Sequence, residues 1–314
     1  MMQLGVRSKR GAYIALAVLT LIWGSNWLLM KLALQSAHPV MFNIQRTLLA
    51  AFVVFAVLVA QRRSLAPQSW LAIIVTGFFQ TTVNFGSTTM ALAEGGAGRT
   101  SVLVFTMPFW TLLLAWPILH ERVRGLQWLG LMLALVGLGL VVEPWNWREG
   151  LHAKMWAVLS GFGWAAGSVA TKYFERTRRL DMLNFLAWQM AIGILPFLLV
   201  PLFVPLPATQ WSVGFLLLLV HTGAISTACG FLLWMAVLRR LPAGTASINM
   251  LAIPVLALLS SMLFFGERLD IIEWLGIGSI GAGLAIVSLQ ALAETRAARA
   301  VQAARAAADS ASGG

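Results

Sequence analysis

The sequence predicts an all-α integral membrane protein, with ten transmembrane helices arranged as two inverted five-helix repeats. Three observations carry this. Hydrophobic residues make up 59% of the 314-residue chain and charged residues 11%, whereas a soluble domain carries about 25% charged residues. Residues 97–141 reappear 146 positions later: Ala97, Gly98, Ser101, Pro108, Glu121, Arg122, Trp128, Leu129, Gly130 and Gly137 return as Ala243, Gly244, Ser247, Pro254, Glu267, Arg268, Trp274, Leu275, Gly276 and Gly283. A fixed offset kept through this many residue types is an internal repeat. Finally, basic residues crowd into alternate loops.

A membrane helix needs about 20 mostly apolar residues. Ten stretches qualify: 13–33, 40–60, 70–92, 98–119, 126–143, 153–173, 182–203, 211–237, 243–264 and 271–291. The fifth is the shortest. Between them stand turn and charge signals such as Ala37-His38-Pro39, Gln61-Arg62-Arg63, Glu94-Gly95-Gly96 and Pro205 to Pro207. With the N-terminus inside, the inner loops and tails hold Arg7, Lys9, Arg10, Arg62, Arg63, Arg122, Arg124, Arg176, Arg178, Arg179, Arg239, Arg240, Arg296, Arg299 and Arg305. The outer loops hold Arg99, Arg148, Lys154 and Arg268. This bias predicts cytoplasmic termini in a bacterial inner (plasma) membrane. It also makes the net charge of +11 topogenic, which argues against nucleic-acid binding.

Five helices per repeat is an odd number, so the second copy enters the membrane inverted. Inverted repeats are a transporter architecture, with the site at the repeat interface near the midplane. The expected boundaries are 1–143 and 144–291, followed by a cytoplasmic tail 292–314. That tail is rich in Ala and Arg, with its last residues, 309–314, disordered. One cysteine, Cys229, excludes an intramolecular disulfide and a cysteine-based zinc site. No zincin, phosphate-loop or nucleophile-elbow motif occurs, so no enzyme, metal or cofactor is expected.

The candidate substrate-binding residues are polar or aromatic groups at mid-depth. The third span carries Gln80, Asn84, Ser87 and Thr88 on one face, with Phe79 and, in the fourth span, Phe105 as aromatic partners. Lipid cannot satisfy an amide, so this stripe faces either a cavity or a neighbouring helix. The first span adds Ser25 and Asn26, the sixth Trp164 and Ser168, the ninth Asn249 and the eighth His221. An intramembrane histidine is a functional candidate by default. His221 reads as a proton carrier, a substrate contact or a neutral imidazole bonded to a carbonyl. Pro108 and Pro254 lie at matched depth and are candidate kink and gating positions, since proline frees a backbone carbonyl one turn earlier. Arg46 reads as a side chain that snorkels to the outer headgroups or holds the preceding loop. Lys31 and Lys172, at matching positions on opposite sides, either snorkel or gate. Small residues Gly130, Ala134, Gly137, Gly139, Gly276, Gly278, Ala282 and Gly283 permit close packing of the fifth and tenth spans. That packing is expected within a monomer, with a homodimer seam as the alternative.

Ile22-Trp23-Gly24-Ser25-Asn26, Arg46 before an apolar run, Pro108 followed by Glu121, and Pro254 followed by Gly266-Glu267-Arg268 together resemble the EamA-type members of the drug/metabolite transporter superfamily. The resemblance covers residues 11–291. It implies a basket of ten helices whose central cavity is walled by helices 1, 3, 4, 6, 8 and 9, with helices 5 and 10 at the back. It also implies export of amino acids and related metabolites. One departure is that Ala187 stands where a repeat-related partner of Arg46 would be.

The mid-depth groups are mostly neutral and can both donate and accept, which suits a zwitterion with an apolar or aromatic side chain. A lone anion would call for an unpaired mid-depth Arg or Lys, and a lone cation for Asp or Glu; neither is expected from the sequence. The expectation is therefore uniport-like export of amino acids by alternating access. The alternatives are an organic-cation exporter and a proton-coupled metabolite antiporter working through His221.

Overall fold

The computed structural model describes residues 9–121, 125–142, 150–238, 250 and 252–312. Ten helices are described: α1 Lys9–Ala33, α2 Pro39–Ala60, α3 70–94, α4 Ala97–Leu119, α5 Gln127–Val142, α6 Leu151–Thr177, α7 Met182–Phe203, α8 213–238, α9 Ala252–Phe265 and α10 Ile271–Ser312. The start of the predicted ninth span, Asn249 included, lies outside the described residues. Starts are set locally. Pro39 opens α2, where a missing N–H costs nothing, and His38 Nδ1 accepts from Val40 N. Asp181 accepts from Leu183 N at 3.0 Å and Ser212 from Phe215 N at 3.1 Å. Large apolar side chains such as Phe52, Leu202, Phe203, Leu263 and Phe264 point outward, as a protein solvated by acyl chains requires.

The two halves are related by a pseudo-two-fold axis that can be read residue by residue. In the antiparallel pair α5–α10, a methyl group added at Gly130 would lie 2.9 Å from the Gly283 carbonyl oxygen. One added at Gly276 would lie 2.8 Å from the Gly137 oxygen. These two contacts exchange under the 146-residue offset. Leu133 and Ser279, also repeat equivalents, meet at the axis, where the Ser279 hydroxyl donates to the Leu133 carbonyl at 2.7 Å. Gly130, Gly137, Gly276 and Gly283 thus pack within the chain, whereas Gly139 and Gly278 meet nothing within 4 Å and Ala282 is exposed.

The same turn ends α4 and α9. Glu121 N donates to Ala115 O and Glu267 N to Ser261 O. The residue before each glutamate is left-handed, His120 at φ 56° and Gly266 at φ 62°.

The bends have several sources. α4 is interrupted at Phe105–Thr106 and resumes at Met107. Pro108 supplies no N–H, so the Val104 carbonyl loses its helical partner. Gly161 of α6 packs against that carbonyl, leaving no room for a methyl group. Of the turn before Pro254, Leu251 lies outside the described residues, and Pro254 itself is buried among Val102, Phe105, Leu258, Ile280 and Leu284, between α4, α9 and α10. Proline does not bend α3 or α8. Both contain a π-helical stretch, Phe78–Val83 and Val220–Cys229, a feature frequent at functional sites. α10 runs unbroken to Ser312, so residues 309–312 are helical where the composition suggested disorder. Alanine-rich sequence with interspersed Arg favours the helix.

Candidate substrate site

A central cavity of about 110 Å³ lies between the repeats. α1 contributes Trp23, Asn26, Trp27 and Met30 from one helical face. α2 adds Arg46; α3 adds Asn84, Phe85 and Thr88; the break in α4 adds Val104, Phe105 and Met107; α6 adds Trp164. Ser226, Thr227 and Phe231 come from α8, and Met250 and Ile253 close the ring. The repeat equivalents Trp23 and Trp164 both stand against Phe231, with ring centroids 6.0 and 5.6 Å away. Trp23 Nε1 donates to Ser226 O at 2.9 Å, inside the π-helical stretch of α8. The walls are therefore aromatic, and the polar groups few, as is usual for a small-molecule site.

The structure brings Asn26, Asn84, Phe105 and Trp164 to this cavity. It places other candidates elsewhere, and the polar atoms of Ser25, Gln80 and Ser168 are spent on helix contacts. Ser25 donates to Leu21 O and Ile22 O of its own helix. Gln80 bridges Ser168 and Gln189 between α3, α6 and α7. Phe79 packs on Phe78 and Phe162. His221 does not line the cavity, and its buried Nε2 has no partner among the described residues. Even Asn84, on the wall, uses its amide donor on Ser160 O and Oγ, at 3.0 and 2.9 Å. The α3 stripe is thus both helix–helix glue and cavity wall.

Arg46 departs most from expectation. It neither snorkels nor holds a loop; its side chain turns inward and is 3% exposed. Its guanidinium carbon lies 4.5 Å from the Phe85 ring centroid and 5.9 Å from that of Phe42. Its Nη1 donates to the Met30 thioether at 2.8 Å, and among the described residues Nε and Nη2 have no partner. An unpaired cation therefore does stand on the cavity wall. The sequence misled because a position two turns into α2 is compatible with reaching the headgroups, and nothing in the local pattern reveals Phe85 across the cavity.

The model of the EamA-like transporter family matches residues 10–143 and again 152–289. The chain belongs to the EamA-like transporter family. Uncharacterized transporter YoaV of Bacillus subtilis is 27% identical over 84% of this chain and 92% of its own length. The Escherichia coli K12 protein named probable amino-acid metabolite efflux pump is 26% identical over 89% of this chain and 95% of its own. The inner membrane transporter YedA of the same organism is 26% identical over 88% and 90%. A solved crystal structure shares the fold at TM-score 0.62 and 19% identity, over 90% of this chain and 98% of its own.

In this EamA transporter, a polar cluster ties together the helix ends on the face away from the N-terminus. Glu267, buried in the α9–α10 turn, accepts from Gly98 N and Arg99 N at 3.0 and 3.1 Å and from the Ser261 hydroxyl. A carboxylate at a helix start is favoured by the exposed N–H groups and the helix dipole. Arg99 binds Glu273 through Nε and Nη2 at 2.5 and 2.7 Å. Lys31 donates to Leu92 O and Gly95 O at the end of α3, at 2.5 and 2.9 Å. On the opposite face Glu121, the repeat equivalent of Glu267, pairs with Lys172 at 2.7 Å and with Arg176. Burial pushes the Glu121 carboxyl up, but Lys172 and Arg176 outweigh it and hold it below the ordinary value of 4.5. Lys31 and Lys172 thus each tie down a helix end, one through carbonyls and the other through a carboxylate.

Proposed function

We propose that this transporter exports amino acids with apolar or aromatic side chains, or close relatives of them, by alternating access around the central cavity. The observation that carries the reading is the cavity itself: aromatic walls for a side chain, with Asn26 and Asn84 amides at the same level. The relatives named probable amino-acid metabolite efflux pumps support it. Among the described residues no Asp or Glu lines the cavity, which favours export down the substrate's own gradient over carboxylate-mediated proton coupling. The basic loops support an orientation with the N-terminal face in the cytoplasm and the Glu267 cluster outside. Labelling of a cysteine at Ser8 from outside intact cells would contradict that orientation.

The Trp23–Phe231–Trp164 cluster also suits organic cations through cation–π attraction, which is the second reading. Purified protein in liposomes loaded with labelled phenylalanine or leucine separates the two. Flux competed by apolar amino acids and insensitive to an imposed pH gradient supports amino-acid uniport. Competition by quaternary amines but by no amino acid would replace it with cation export. Flux that follows the pH gradient and is lost in His221→Gln would replace uniport with antiport.

A further inference from the structure

We infer that Arg46 anchors a carboxylate on the transported molecule through its Nε and Nη2 edge, and that the Met30 thioether competes for the same guanidinium in this conformation. The anchor deepens the amino-acid reading but requires only a substrate with a carboxylate.

A guanidinium has a face and an edge, and here they are used differently. The face is covered by Phe85 and, further off, Phe42. Of the edge, Nη1 touches the Met30 sulfur, while Nε and Nη2, the neighbouring pair that binds a carboxylate with two parallel bonds, have no partner among the described residues. Asn26 repeats the pattern. Its Nδ2 donates to the same sulfur at 3.1 Å, and its Oδ1 has no partner. A thioether is a weak acceptor, yet a guanidinium and an amide converge on it. Met30 is unbranched and repacks easily. A buried cation without a counter-ion is costly within a membrane, and no carboxylate among the described residues lines this cavity. A substrate carboxylate supplies the missing acceptor, and Asn26 Oδ1 remains free to take an ammonium beside it. Snorkelling would satisfy Arg46 without any ligand. The side chain instead stays inward, against two rings and a sulfur.

The test uses purified full-length protein in liposomes, with labelled phenylalanine flux and three competitors that share one ring. These are 3-phenylpropanoate (carboxylate only), phenethylamine (amine only) and phenylalaninamide. The expected result is competition by phenylpropanoate and little by the two amines. Arg46→Gln should weaken phenylalanine and phenylpropanoate about tenfold or more, as loss of a charge-assisted pair does; Arg46→Lys, which keeps the charge but not the fork, should fall between. Met30→Leu removes the competing acceptor at similar volume and should tighten both carboxylates several-fold without changing the amines. If phenylalanine is not carried but phenylpropanoate binds in an Arg46-dependent way, the anchor stands and the amino-acid reading falls. If phenylalanine flux is the same in Arg46→Gln, the anchor falls and the reading stands. Should the Arg46 variants fail to fold, unchanged carboxylate affinity in Met30→Leu overturns the inference.

Discussion

Replacing Glu267 by Gln isolates the polar cluster on the face away from the N-terminus. The carboxylate accepts two backbone N–H groups at the start of α4 and the Ser261 hydroxyl, in a nearly solvent-free place. Glutamine keeps one acceptor but turns an NH₂ toward donors. Leaving one buried donor unpaired costs about 1–3 kcal/mol, and losing the charge at a helix start adds about 0.3–1 kcal/mol. If the cluster closes the outer end, the closed conformation loses about 2 kcal/mol relative to the open one, roughly 30-fold in population. The reporter is Leu103→Cys in a Cys229→Ala background. Leu103 is 1% exposed and lies beneath the cluster. Its labelling by a membrane-impermeant maleimide from outside should accelerate at least tenfold in Glu267→Gln. An unchanged labelling rate in a variant that melts at a lower temperature would show that Glu267 caps α4 and closes nothing.

Two further outcomes are expected. His120→Gly should raise the melting temperature, because His120 holds φ 56° where the equivalent Gly266 holds φ 62°, and a left-handed residue with a Cβ costs about 1–2 kcal/mol; no change or a drop would mean that the imidazole has an offsetting role. Glu121→Gln should lower stability at neutral pH and make no difference well below pH 4.5. The folded carboxyl is held below that value, so its pairing with Lys172 and Arg176 stabilises above 4.5 and is lost as pH falls through the depressed folded value. Melting curves from pH 7 to pH 3 check this, and a constant difference across that range would refute it.

The helices were legible because lipid demands long apolar runs and because the second copy repeats the first through Pro108/Pro254 and Glu121/Glu267. The π-helical stretches of α3 and α8 were not legible, since Phe78–Val83 and Val220–Cys229 are apolar and small in the same way as the helix around them. Mid-span polar residues divided for a related reason. Gln80 and Asn84 sit one turn apart with the same chemistry, yet only Asn84 reaches the cavity wall, while Gln80 is taken up by Ser168 and Gln189. A polar side chain in an apolar helix signals that it must be satisfied, and not whether a neighbour or a cavity satisfies it. Arg46 was legible as an oddity, seven residues into α2. Its direction depends on rings and a sulfur supplied by three helices.

The seam between α5 and α10 limits how far the two halves of this chain can drift apart. Elsewhere a side chain that grows in one half can be met by one that shrinks in the other. Gly130 faces Gly283 and Gly137 faces Gly276, and no residue is smaller than glycine, so no second-site change can make room. A methyl group at any of the four positions separates the same two backbones, whichever half it arises in. Divergence is thus blocked at these positions while it proceeds around them, and this is why the offset of 146 still reads cleanly through Gly130/Gly276 and Gly137/Gly283 when most of the intervening residues no longer match.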